Sequence, residues 1–210
     1  MSRWGVLLAA LLLALTSCKP LEAAPPAPGS SGDAKLATQH LAELTVANPQ
    51  SMAGYSRTRF PHWIEQGNGC DTRDVVLKRQ GQGVVVAPGS CKISAGSWLS
   101  PYDGVTYADP QKLDIDHLVP LANAWRSGAR GWTDDQRQEF ANDLSRPQLI
   151  AVSLTQNRAK GDQDPSQWKP PNHDYWCQYA QDWVTVKYFW RLTVTAAEKT
   201  TLTDMLGTCP

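Results

Sequence analysis

The chain has 210 residues, 41% of them hydrophobic and 19% charged, with twenty Lys and Arg against twenty Asp and Glu. That length supports one domain with a real core, and that composition excludes a disordered chain. A formal net charge of zero gives no long-range attraction to a polyanion, so any phosphate binding has to be local.

Residues 1–17 read as an export signal: Arg3 gives the positive end, and the apolar run over 6–15 is too short to span a bilayer. Leu15-Thr16-Ser17-Cys18 resembles the lipobox of bacterial lipoproteins. The resemblance implies cleavage before Cys18, lipid on its thiol and a membrane anchor; the alternative is an ordinary secretory signal with a chance cysteine. Cleavage removes Arg3 and no acid, leaving the mature chain with one more acid than base. Residues 18–34, rich in Pro, Ala, Gly and Ser, read as a flexible tether. Residues 35–50 hold an N-terminal helix, with Leu36, His40, Leu41 and Leu44 at helical spacing over 35–47 and Asn48-Pro49 as its stop.

Residues 51–210 show no internal repeat and form one unit. Four cysteines fall in it, Cys70, Cys91, Cys177 and Cys209, an even number suited to an oxidising compartment. Of the three connectivities, the one that joins near neighbours is favoured, Cys70 with Cys91 and Cys177 with Cys209, each bond worth about 3 kcal/mol. A zinc site is disfavoured because no C-x-x-C knuckle is present. Strands are expected over 74–77 and 83–87, and a hairpin over 97–107 turning at Asp103-Gly104. Beyond it come a helix over 133–144 capped by Thr133 with Gln136 three residues on, and a strand over 148–153. Helices over 175–190 and 196–206 would be tied by the second disulfide.

Residues 113–121 read LDIDHLVPL. Two carboxylates and an imidazole in an apolar run are costly to bury unless they are paired or hold a metal, so the run reads as a site. Residues 153–161 read SLTQNRAKG, in which Ser153 and Gln156 cap a helix over 154–160 and Gly161 stops it, with Asn157 and Lys160 on one face. The order is strand, inserted helix, strand, short helix: a β-β-α unit. Asp116 and Asn157 offer hard oxygen ligands that favour Mg²⁺ or Mn²⁺, and His117 is left free as a general base. Adjacent strand residues point to opposite faces, so Asp116 and His117 share one site only if the strand bends or ends there.

DIDHLVPL followed by QLIAVSLTQNRAKGD resembles the HNH, or ββα-metal, endonuclease superfamily. NGCDTR (68–73), AWRSGARGW (124–132), FANDL (140–144), KGDQDPSQWKPP (160–171) and CQYAQDWVTVKYFWRLTVTAAEK (177–199) extend the likeness. Together they resemble exported bacterial HNH proteins related to the C-terminal domain of GmrSD-type restriction enzymes, over about residues 55–209. The resemblance implies an α+β fold with a ββα-metal core, added helices and a disulfide-stapled periphery. It also implies a nuclease acting on DNA, or on RNA, and leaving 5′ phosphates, with His117 activating water and Asp116 and Asn157 holding one divalent ion. Gln148 stands where the pattern has the Asn that orients the histidine's loop.

Arg73, Arg158 and Lys160 are candidates for substrate phosphate; Arg73 could equally pair with Asp71 or Asp74. Asp114 could be a second ligand, a charge neighbour of Asp116 or a solvated edge residue. His40, His62 and His173 and the tryptophans read as surface or packing residues. The chain carries no H-E-x-x-H helix and no base-reading module, which disfavours a metallopeptidase and a sequence-specific nuclease. The competing class is a non-catalytic metal- or DNA-binding envelope lipoprotein on the same scaffold, for which Gln148 is the main support.

Overall fold

The computed structural model describes residue 1 and residues 31–210; the export signal, Cys18 and most of the tether lie outside the described residues. Helix α1 spans Ser31–Glu43. It starts inside the segment expected to be tether and ends ahead of Asn48-Pro49. Tertiary pairing ends it: Val46 bridges Val194 in parallel, and the Ala47 N–H donates to Val194 O at 2.9 Å. Ala37, Leu41 and Leu44 of this segment are buried in the main core.

The strand expected over 74–77 is a helix instead, α2, Thr72–Gln80. Its Val-Val-Leu run looks β-like, but Asp71 and Asp74 close a capping box at its start. Two backbone donors satisfied in this way favour the helix over a three-residue strand preference. Val76 and Leu77 are then fully buried against Trp98, Leu113 and Ile115.

Three antiparallel strands follow, β1 Gln82–Val86, β2 Ile93–Ser100 and β3 Val105–Tyr107, in the order β1-β2-β3. The β2–β3 turn contains Asp103-Gly104 as expected, and Gly104 takes φ 70°, a conformation that favours glycine. Trp98 of β2 lies under this sheet and donates from Nε1 to Leu77 O at 2.8 Å.

Strand β4, Leu113–His117, pairs antiparallel with β5, Leu149–Ser153, from Leu113 opposite Ser153 to His117 opposite Leu149. The strand stops at His117 rather than running to Leu121, and Pro120 opens a short helix, α3, Leu121–Arg126. Helix α4 is Asp134–Ala141, with the Thr133–Gln136 capping box complete. Helix α5 is Leu154–Lys160; Ser153 Oγ accepts from the Gln156 N–H, and Gly161 ends it at φ 56°. The chain closes with α6, Trp176–Phe189, and α7, Ala196–Leu206. Both disulfides have the expected partners, Cys70 with Cys91 and Cys177 with Cys209.

The ββα unit is wedged between two cores. Leu118, Val119 and Val152 face the larger one, built by α1, α3, α4, α6 and α7 around Trp125, Phe140 and Trp183. Leu113, Ile115, Leu149 and Ala151 face the smaller one, under α2 and β2. Apolar residues on both faces hold the end of β4 rigidly, and at that end lie Asp116 and His117.

Candidate functional site

Gln148 ends β4 where it does. Its backbone O accepts from Leu118 N at 2.8 Å. Its fully buried side chain accepts from Val119 N at 3.1 Å and donates to Val119 O at 2.9 Å. One amide therefore satisfies both polar groups of a buried loop residue, which fixes the chain two residues beyond His117. The strand ends, and Asp116 and His117 both line one cavity of about 200 Å³, together with Tyr55, Arg57, Asn157 and Asp162.

His117 is 4% exposed, and its Nε2 lies 2.9 Å from Ala141 O at the end of α4. A carbonyl only accepts, so Nε2 carries the hydrogen and Nδ1 keeps its lone pair. Burial pushes the imidazole pKa down to about 3, opposed by the Ala141 bond and reinforced by the charge of Arg57. The ring is neutral at pH 7. Trp63 stacks on it, ring centroids 5.4 Å apart at 27°, and the His62 ring lies 6.0 Å away.

Asp116 is 5% exposed. Its Oδ2 accepts from Tyr102 OH at 2.6 Å and lies 2.8 Å from Lys160 Nζ, which also donates to Oδ1 at 3.1 Å and to His117 O at 3.1 Å. Burial pushes the Asp116 carboxyl up and the Lys160 ammonium down, and each pulls the other back toward its charged form. On α5, Asn157 Nδ2 donates to Asp114 Oδ2 at 3.0 Å. That bond orients the amide and leaves Oδ1 as its acceptor, with no donor among the described residues.

The donor set can be tested against a metal. Asp116 retains acceptor capacity beyond its three bonds, and Asn157 Oδ1 adds a second hard oxygen. Among the described residues no three His, Cys, Asp or Glu side chains converge on one point. Two oxygens suit an ion that keeps most of its waters, Mg²⁺ or Mn²⁺, and do not suit a zinc cage.

The other expected site residues fall elsewhere. Lys160 does not open to the cavity: it is 0% exposed and pairs with Asp116. Arg73 lies away from the cavity, donating to Pro110 O at 3.2 Å and Leu113 O at 3.1 Å, where it clamps the start of β4. It forms no ion pair with Asp71 or Asp74. Arg158 is exposed on α5 beside Asn157, outside the cavity lining. His40 stacks on Tyr188 and His173 packs at a tilt against Trp176; His62 is the histidine that approaches the site.

Sequence reasoning missed Tyr55, Arg57, Trp63 and Asp162. Residues 55–64 carry no motif. Trp63 sits at φ 59°, an outlier for a bulky side chain that no sequence pattern announces. Asn142 holds it from both sides, accepting from Ile64 N at 3.2 Å and donating to Pro61 O at 2.8 Å.

Residues 71–205 match the family of GmrSD restriction endonucleases, C-terminal domain. The chain belongs to that family. It is also 53% identical over 184 residues to a protein of Arthroderma benhamiae described as an uncharacterized secreted protein, covering 88% of this chain and 90% of that one. No solved structure matches. The GmrSD C-terminal match takes in Asp116, His117, Gln148 and Asn157, and it begins after the segment that carries Arg57 and Trp63.

Proposed function

We propose that this protein is an exported, metal-dependent HNH endonuclease that hydrolyses phosphodiester bonds of DNA, with RNA as a second candidate polymer, and with little sequence preference. The observation that carries the reading is the His117 imidazole: neutral, held at Nε2 by Ala141 O, and lining one cavity with the hard oxygens of Asp116 and Asn157. In this reading Nδ1 takes the proton of an attacking water, and Ala141 O steadies the imidazolium that forms. Negative charge from a bound phosphodiester would raise the pKa of the ring and favour that transfer. Gln148 fixes the loop, Tyr102 and Lys160 fix Asp116, and Asp114 fixes Asn157, so the reacting groups reorganise little. One divalent ion on Asp116 and Asn157 would supply charge stabilisation at the phosphoryl oxygens.

The secreted relative and the two disulfides support an extracellular location. A lipid anchor at Cys18 is the finer proposal, read from the mass of the mature N-terminus: a diacylated cysteine supports it, and an unmodified one removes it. A binding-only role has one specific observation in its favour, namely that Lys160 already neutralises the carboxylate a metal would need. Supercoiled plasmid incubated with the disulfide-bonded mature chain and Mg²⁺ or Mn²⁺ separates the two. Nicking that EDTA stops supports the nuclease; intact plasmid with every divalent ion, from a folded protein that binds DNA, supports the binding role.

A further inference from the structure

Each carboxylate that lines the cavity has a cation of its own. Asp116 has Lys160, at 2.8 Å. Asp162 has Arg126, whose Nη1 lies 2.5 Å from Oδ2 and whose Nη2 donates to Asp162 O at 2.6 Å. Arg57 is the third cation here, and among the described residues its side chain makes no ion pair and no hydrogen bond. With the other charges matched in pairs, the cavity lining is left with one positive charge, the complement of a single phosphodiester.

The backbone under Arg57 is fixed while its guanidinium is free. Arg57 begins a 3₁₀ turn, Arg57–Arg59. Arg137 Nε donates to Arg59 O at 3.1 Å, and Asn142 grips Pro61 and Ile64. Arg137 lies in α4 and Asn142 just after it, and Ala141 of the same helix holds His117. One helix end therefore sets both the imidazole and the turn that carries Arg57. Neighbouring cations are placed differently: Arg59 lies over the Trp125 ring at 5.2 Å, and Arg158 is outside the lining.

We propose that Arg57 is a substrate-binding residue, its guanidinium fork taking the non-bridging oxygens of a nucleic-acid phosphate at the mouth of this cavity. The inference rests on reading the cavity as a phosphodiester site. It adds that the site has a second half, residues 55–64, ahead of the family match.

The test is binding of a fluorescent DNA oligonucleotide in EDTA across a series of salt concentrations, by the mature wild-type chain, Arg57→Ala, Arg57→Lys and Arg158→Ala. Expected for Arg57→Ala is affinity lowered about tenfold and a salt slope shallower by about 1, with thermal unfolding unchanged; Arg57→Lys recovers the slope and part of the affinity. Wild-type affinity and slope in Arg57→Ala would overturn the proposal. Plasmid nicking keeps the two readings apart. Nicking by wild type with Arg57→Ala unchanged in binding removes this inference and leaves the nuclease. An Arg57-dependent slope without any nicking removes the nuclease and leaves the phosphate site. No binding by wild type removes Arg57's role outright.

Discussion

Two lysine–carboxylate pairs are buried in this molecule to nearly the same depth, and they differ in what surrounds them. Lys187 and Glu198 meet at 2.7 Å, each side chain 1% exposed. Trp183 Nε1 donates to Glu198 Oε1 at 2.6 Å and Lys187 Nζ to Thr193 O at 2.9 Å, so the partners all come from α6, α7 and the turn between them. The void beside the pair is about 30 Å³, room for about one water. Lys160 and Asp116 join α5 to β4, and Asp116 borders about 200 Å³ that it shares with His117 and Asn157. A buried ion pair is a poor source of net stability, because desolvation offsets its attraction. The first pair is therefore best understood as fixing how α6 and α7 dock. The second holds a carboxylate in its charged form at the edge of a space that a ligand can enter.

The comparison breaks most sharply when one partner is removed. Glu198→Ala leaves an ammonium buried alone, and Lys160→Ala leaves a carboxylate; each is expected to cost about 3–5 kcal/mol in urea unfolding. Replacing both partners separates structure from function. Lys187→Met with Glu198→Leu should remain folded and keep the wild-type nicking rate, whereas Lys160→Met with Asp116→Leu should fold and lose it. Equal rates for the two double variants would erase the distinction.

Gln148→Ala comes next. It strands the N–H and C=O of Val119 in a buried loop, an expected loss of about 1–3 kcal/mol with a drop in nicking as His117 loses its register. Full stability with full activity would show that the loop holds without the amide.

The smallest effect concerns Asp182 on α6, a partly buried carboxylate with no ion pair among the described residues. It accepts from Gln178 Nε2 at 2.7 Å and from Tyr175 OH at 3.4 Å, and burial pushes its pKa up to about 7. An unfolded Asp loses its proton near pH 3.9, so between about 4 and 7 the native state binds more protons and stability falls as pH rises. Asp182→Asn should raise the unfolding temperature most at pH 8 and by clearly less at pH 5. His117 acts with the opposite sign, since from about pH 3 to 6.5 it is the unfolded state that binds more protons, so stability rises with pH over that span.

Much of the frame was legible because its determinants are local. The Thr133–Gln136 box, the Ser153 cap and Gly161 stop, and the spacing of the four cysteines gave α4, α5 and both disulfides. Asp116, His117 and Asn157 were brought together as their order in the chain implied, because β4 ends at His117. What escaped reading depends on tertiary placement. A lysine is expected in solvent, and nothing in NRAKG shows that Lys160 points inward to Asp116. The Val-Val-Leu run of α2 hid a helix whose decisive residues, Asp71 and Asp74, lie at its start. Arg57 and Trp63 reach the site only because α4 holds a segment about eighty residues upstream of it in the chain.

If His117 is the base of a phosphodiester-hydrolysing site, its removal slows the chemistry and spares DNA binding. The most direct test is the initial rate of plasmid nicking by wild type and His117→Ala at equal DNA occupancy and saturating Mg²⁺. The expected result is a fall of about 10²–10⁴-fold with DNA binding unchanged. A rate within a fewfold of wild type would contradict that role.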